Sequence, residues 1–134
     1  MSRSTYLSTE RSKKLSVKSS DTVKKQKIDA GQGTTKQVLI DGDEAPNFAL
    51  RRFEIEPGGG MPLHTNKVEH EQYVLGGKAH IRIGDREYDV GKDDVIYIPA
   101  GVPHSYDSTG DEPFVFLCVV PNKEDRIEIV EADD

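Results

Sequence analysis

The sequence has few of the features that mark membrane-spanning, secreted or helical proteins. Its single cysteine, Cys118, permits no disulfide within the chain, which is typical of a protein of the reducing cytoplasm. The longest apolar run, Phe114–Val120, is too short to cross a membrane, and the polar, basic N-terminus shows no signal-peptide pattern. No segment has a sustained helical repeat of apolar residues, so we expect no helix longer than about two turns.

Charge is unevenly divided along the 134 residues, whose net charge is −6. Residues 1–27 hold eight Lys or Arg and two Asp or Glu, which leaves −12 for the rest of the chain. An acidic body argues against a duplex nucleic-acid binder, because such binding depends on neutralising phosphates. We predict that residues 1–35 form a basic, polar arm or disordered tail, either solvated or crossing the acidic surface of a partner subunit. A tail that binds nucleic acid is a weaker alternative.

Residues 36–134 are predicted to form one all-β domain. Short β-prone runs alternate with Gly, Pro, Asn and Asp, and Gly84-Asp85 predicts a tight hairpin. The turn spacing suits an antiparallel sandwich or barrel. The predicted strands are 36–40, 47–56, 61–65, 70–76, 79–84, 86–90, 95–98, 103–107, 113–120 and 126–130.

Three of the four histidines have a spacing that favours a metal site. His64 and Asn66 lie two apart on a β-prone stretch, so their side chains share a face. His70 joins that face if the strand resumes after a short bend, and His104 follows a Pro-Ala-Gly-Val-Pro turn. Divalent transition metals favour imidazole, and ligands that converge from separate strands can hold one ion. The ion should be released near pH 6.5, where a free histidine takes up a proton.

The alternation of side chains along a strand also predicts which way the other candidate residues point. His80 shares the polar phase of its strand with charged neighbours, so it is predicted to face solvent and to have no role in the site. Gln72 shares the face of His70, and Tyr106 shares the face of His104. Cys118 either lines the same pocket or is an inert buried residue.

The segments around these histidines resemble the two motifs of the cupin superfamily. The first motif, G…H-x-H-x(3–4)-E-x(6)-G, is matched by His64, Asn66, His70 and Gly77. The second, G…P-x-G-x-x-H, is matched by Gly91, Pro99, Gly101 and His104. The resemblance implies a single-domain jelly-roll β-barrel, a fold that hosts many functions.

Two motif positions depart from the general pattern. Asn66 stands where most metal-binding cupins carry His, and His70 stands where the general motif has Glu. The chain resembles small single-domain cupins with a four-histidine site, of which it keeps three. The resemblance implies one divalent metal, Mn, Fe, Zn or Ni, held by His64, Asn66, His70 and His104. It also implies a homodimer, and the apolar residues on both phases of Val95–Ile98 and Phe114–Val120 favour one too.

Three functions fit this sequence. The first is a metal-dependent enzyme, dioxygenase- or isomerase-like, that acts on a small anionic, oxygen-chelating molecule. The second is a small-molecule-binding cupin without catalysis. The third is a metal-free structural cupin, an alternative that Asn66 keeps open because an amide oxygen is a weaker ligand than imidazole. The sequence identifies no catalytic residue, since Glu69 and Glu71 are expected to orient ligands or face solvent.

Overall fold

The structure, a computed structural model, describes residues 15–131 as an almost entirely β-stranded protein. All strand pairs are antiparallel, as predicted. In that range the helical structure is one 3₁₀ turn, Ser20–Thr22. The strands are β1 (Gln26–Lys27), β2 (Gln32–Ile40), β3 (Phe48–Thr65), β4 (His70–Gly76), β5 (Lys78–Ile83), β6 (Arg86–Gly91), β7 (Val95–Ile98), β8 (His104–Ser108), β9 (Phe114–Pro121) and β10 (Glu128–Ile129).

Strand β3 links the two halves of a curled sheet whose order is β6-β5-β8-β3-β9-β4-β7. The first part of this 18-residue strand pairs with β9, and its last part pairs with β8 and β10. Strand β2 lies along the other edge of β3, and β1 pairs with β2. The separately predicted strands 47–56 and 61–65 are therefore one continuous, bent strand.

Three glycines allow β3 to bend between its two halves. Gly58 has a φ of 82°, a conformation that L side chains rarely adopt. A Cβ at Gly59 would collide with the carbonyl oxygen of Gln32, and one at Gly60 would collide with that of Tyr106. The glycine run therefore lets β2 and β8 approach the bent strand more closely than any side chain would permit.

The segment before residue 36 also takes part in the fold. Strand pairing begins at Gln26, and Gln37 on β2 donates hydrogen bonds to the carbonyl oxygens of Ser20 and Val23, each over 2.9 Å. An ion pair of 3.3 Å joins Lys25 to Glu54 on β3. The second half of the basic segment thus lies against its own barrel. The rest of the predicted arm, residues 1–14, lies outside the described residues.

The core fills the interior of the curl, and a second apolar surface lies outside it. Along β4, β7 and β9 the inward residues are buried, including Val74, Phe114 and Phe116. Most outward residues of the same strands are also apolar, and Glu71 is the charged exception. We call this surface the outer apolar face; it comprises Phe48, Tyr73, Leu75, Val95 and Tyr97, which are exposed, with half-buried Leu117 and Val119. Among residues 15–131 there is no helix with the length and apolar character needed to cross a membrane.

Replacing Gly77 by alanine should destabilise the fold by more than about 2 kcal/mol, because two costs add. Gly77 follows β4 with a φ of 77°, and a Cβ there would collide with the carbonyl oxygen of Pro113. Gly76 is the matched control, since a Cβ at that position would have no neighbour within 4 Å. Urea unfolding of both variants measures the difference, and equal destabilisation would contradict this account of the motif glycine.

Candidate functional site

A small cavity inside the barrel brings the motif residues together. Its volume is about 80 Å³, and His64, Asn66, His70 and His104 all line it. All four are buried. The segment after β9 closes one side, where Ile127 lines the cavity and β10 pairs with the end of β3. The two motifs, distant in sequence, therefore meet at one buried place.

His64 and His104 lie opposite each other on β3 and β8, with ring centroids 4.2 Å apart. The Nδ1 atom of His64 is 2.7 Å from the carbonyl oxygen of Pro62, and that of His104 is 2.9 Å from the carbonyl oxygen of Val102. A carbonyl only accepts, so each Nδ1 carries the proton in the neutral ring. Each Nε2 then has a free lone pair, which is the arrangement of a metal-ligating histidine.

His70 reaches the cavity from β4, with its ring centroid 5.5 Å from that of His104. Its Nδ1 is 3.2 Å from Cys118 Sγ and 3.4 Å from Arg51 Nη2, and its buried Nε2 has no partner within residues 15–131. If Nδ1–H donates to the sulfur, Nε2 can ligate a metal. If Arg51 donates to Nδ1, Nε2 carries the proton and can instead donate to a ligand oxygen.

Asn66 follows β3 and is held by Asp125 from the C-terminal segment. Its Nδ2 donates to Asp125 Oδ2 over 3.1 Å, and the other oxygen of that carboxylate accepts the backbone N–H of Lys67 over 2.7 Å. The amide oxygen of Asn66 is buried and has no hydrogen-bond partner within the described range. Unpartnered buried acceptors are uncommon, so this oxygen is available to a bound ion or ligand.

Burial keeps the three imidazoles uncharged. Loss of solvent is the main cause that lowers the pKa of His64. It also lowers the pKa of His70 to about 3, with further effects from Arg51 and His104, and lowers that of His104 to about 4, with a further effect from His64. Neutral imidazole is the form that binds a metal, so the environment favours the ligating state at any pH near neutral.

The side chains as they stand do not yet form a closed metal site. Across residues 15–131 no group of three or more His, Cys, Asp or Glu side chains has an arrangement that could hold an ion. Chemically the donors suit one nonetheless, because two rings have a free Nε2 and two further buried atoms, His70 Nε2 and Asn66 Oδ1, lack partners.

The other sequence candidates take definite places. Gln72 and Tyr106 line the cavity, and Gln72 Nε2 lies 2.8 Å from the Tyr106 hydroxyl. Cys118 is completely buried behind them, with its sulfur against His70, and is a free thiol. His80 points away from the cavity and contacts Glu87 and Asp89 on β6, at 2.7 and 2.9 Å.

Three residues of the site escaped the sequence analysis. Arg51 and Lys36 line the cavity, and Asp125 positions Asn66. A signal for Arg51 exists, because it shares the inward phase of β3 with Ala49 and Phe53. No comparable signal exists for Asp125, which reaches Asn66 from a distant loop.

The sequence also matches a known protein family. Residues 51–120 match the family "Cupin domain" (Cupin_2). This chain belongs to the cupin family. Its structure is similar to that of the polyketide cyclase RemF from Streptomyces resistomycificus, with a TM-score of 0.81, 29% identity, and coverage of 90% of this chain and 89% of that one. The predicted jelly-roll barrel is thereby confirmed.

Two curated relatives carry other activities. A 1-methylthio-D-xylulose 5-phosphate methylsulfurylase of Rhodospirillum rubrum is 32% identical over 103 residues, 76% of this chain and 65% of that protein. The oxalate decarboxylase OxdC of Bacillus subtilis is 36% identical over 69 residues, 47% of this chain and 18% of that protein. The cupin chain thus spans less than two thirds of either relative. Three different activities on one fold identify the architecture and not the reaction.

Proposed function

We propose that this cupin binds one divalent transition metal through His64, His70 and His104, with Asn66 as a weak or water-mediated fourth ligand. The observation that carries the proposal is a set of four donor atoms on buried side chains that line one cavity. They are Nε2 of His64 and of His104, whose Nδ1 atoms face carbonyls, with His70 Nε2 and Asn66 Oδ1, which are buried and have no partner among residues 15–131. Binding requires the side chains to adjust from their present arrangement. The ion would take a small, anionic, oxygen-chelating molecule into the cavity.

The uncharged ligand set determines what such an ion could do. Imidazole and amide ligands leave the full formal charge of +2 on the metal, which would supply Lewis acidity towards a ligand oxygen, or oxygen chemistry with Fe or Mn. The carbonyls of Pro62 and Val102 fix two of the rings, and Asp125 fixes the Asn66 amide. The hydrogen-bonded pair of Gln72 and Tyr106 would contact the bound molecule.

One feature favours binding without catalysis as the second candidate function. Within the described residues, no Asp or Glu lines the cavity, so no carboxylate is in place as a general base. Glu69 and Glu71 are exposed. A dioxygenase- or isomerase-like reaction would then depend on the ion and on the substrate's own acidity.

Metal analysis of the purified, full-length protein tests the proposal. After dialysis against a chelator, titration with Zn²⁺ or Mn²⁺ at neutral pH should give one bound ion per chain by calorimetry and elemental analysis. No binding of either ion would reject the metal and support the metal-free structural cupin. The ion acquired during expression is a poor guide to the native one, because affinity follows the Irving–Williams order.

Metal occupancy should persist well below the pH at which free histidine ionises. Protonation opposes ligation, and the pKa values of His70 and His104 are lowered to about 3 and about 4. Half-release is therefore expected below about pH 5.5, rather than near the 6.5 of an unperturbed histidine. Zn²⁺ titrations between pH 4 and 8 measure this midpoint, and release at or above pH 6.5 would mean that the three rings ionise as exposed groups.

We also propose that two copies associate through the outer apolar face. Strand β7 ends the sheet order, so its outer edge is unpaired within the described range. Exposed apolar residues beside an open edge are typical of a protein interface. We propose that the protein works in the reducing cytoplasm, since its single cysteine, Cys118, is a free and buried thiol.

A further inference from the structure

Arg51 places a positive charge inside the barrel. It shares the inward phase of β3 and sits beside Cys118, its register partner on β9. Its Nη2 is 3.3 Å from the sulfur and 3.4 Å from His70 Nδ1, and its guanidinium carbon lies 5.0 Å from the centroid of the Phe53 ring. Arg51 also lines the cavity that holds the three histidines.

No carboxylate lies within ion-pair distance of this charge in the part of the chain that the structure describes. Arg51 forms no ion pair with Asp or Glu there, and its buried Nε has no acceptor. Its neighbour Arg52 faces outward instead and does have a carboxylate partner: it donates hydrogen bonds to Glu54 and Gln37, each over 3.2 Å. A partly buried guanidinium without a carboxylate is costly unless an anion joins it.

A second cation faces the same space. Lys36 on β2 lines the cavity, and burial, followed by the charge of Arg51, lowers the pKa of its ammonium group. Two basic groups line the cavity, while the neighbouring carboxylate of Asp125 lies outside the lining and is bonded to Asn66 and to the backbone N–H of Lys67. The lining itself is therefore electrostatically suited to a negative molecule. Its volume of about 80 Å³ leaves room for a small molecule beside the three histidines.

We propose that Arg51 is the anion-recognition residue of the pocket, and that it binds a carboxylate of a small ligand. The guanidinium supplies donors in the planar geometry that a carboxylate accepts. The inference deepens the proposed function, since both assign the ligand to the same cavity. It differs in that Arg51 would select the anion whether or not a metal is bound.

The charge of Arg51 also predicts opposite effects on metal and anion. A guanidinium near a divalent ion repels it, whereas the same group attracts a carboxylate. Arg51→Gln should therefore weaken anion binding while leaving metal affinity unchanged or higher. Damage to the fold would weaken both, so the two readouts together separate recognition from a merely structural role.

Calorimetric titration with oxalate and with its neutral isostere oxamide tests the inference on full-length protein, both metal-free and loaded with Zn²⁺. The wild type should bind oxalate at least about tenfold more tightly than oxamide, a margin of about 1.4 kcal/mol. Arg51→Gln should lower oxalate affinity by at least about tenfold and leave oxamide binding unchanged. Arg51→Lys should retain the preference for oxalate, and Arg52→Gln, the outward-facing control, should behave as the wild type.

Two results would overturn the inference. One is a wild type that does not bind oxalate, or binds it no better than oxamide, a comparison that needs no variant to fold. The other is an Arg51→Gln protein that binds oxalate as tightly as the wild type. Zinc content measured in the same samples distinguishes this inference from the proposed metal site. If the protein takes up zinc but binds oxalate equally well without Arg51, only the inference about Arg51 is rejected. Oxalate binding through Arg51 without zinc uptake rejects the metal instead.

Discussion

Replacing His104 by alanine should lower the affinity for Zn²⁺ by more than about 100-fold, because loss of an outer-shell partner alone costs 10–100-fold. His104 is the central ring of the three, next to both His64 and His70. Without it only two imidazoles and an amide oxygen remain, a weaker donor set than the three or four His, Cys or carboxylate ligands of ordinary zinc sites. Calorimetry at neutral pH measures the change, and circular dichroism verifies that the variant is folded.

His80→Ala is the matched control for this experiment. It removes the same side chain from the opposite side of the sheet, where His80 contacts Glu87 and Asp89. Those carboxylates are exposed, so His80→Ala tests whether an imidazole at the surface contributes to the zinc that is bound. Zinc affinity should be unchanged in His80→Ala. Equal losses in the two variants, or a loss in His80→Ala alone, would locate the ion at the surface.

A third substitution, Asn66→His, should raise the affinity for Zn²⁺. Asn66→His would restore the fourth imidazole implied by the resemblance to four-histidine cupins, and Zn²⁺ should bind about tenfold more tightly, since imidazole suits zinc better than a neutral amide. The new ring would lose the bond from the amide to Asp125, which moderates the gain. Unchanged affinity would mean that residue 66 lies outside the coordination sphere.

Most of the strand pattern was predictable, because inward and outward residues alternate regularly. The hairpin at Gly84-Asp85 is an example: its two-residue turn has Gly84 at a φ of 62°, as the composition of the turn suggested. The continuity of β3 was not predictable. A run of proline and glycines normally ends a strand, and only the close approach of β2 and β8 shows why this one continues.

The placement of the histidines was predictable where motif and strand phase coincide, and their role as metal ligands stays a prediction. His64, His70 and His104 line one cavity, and His80 lies outside it, as the phases indicated. Arg51 was overlooked because an arginine among apolar residues is usually interpreted as a surface group. Its environment depends on the pairing of Arg51 with Cys118 on β9, and the alternation of side chains within one strand does not reveal that pairing.

Substitutions in the outer apolar face, the proposed dimer interface, should have a large effect on the dissociation constant of the dimer. Val95 and Tyr97, 73% and 57% exposed, point outward from edge strand β7. Val95 lies opposite Tyr73 on β4, and Tyr97 lies opposite Glu71, which already places one exposed charge at this face. A dimer with two-fold symmetry would bury the same patch from each copy, so every substitution acts twice. Such a surface excludes water at its centre, where an unpaired carboxylate is costly.

The double variant Val95→Glu/Tyr97→Glu should therefore convert a dimer into a monomer. Each carboxylate buried without a partner costs several kcal/mol, and four of them would face one another, so the dissociation constant should rise by at least about 1000-fold. Sedimentation velocity at micromolar concentration measures this. Tyr88→Glu is the control, because Tyr88 is 42% exposed on β6, outside the outer apolar face, and the dimer should survive its replacement. A wild-type monomer at the same concentration, or a double variant that still dimerises, would exclude this face as the interface.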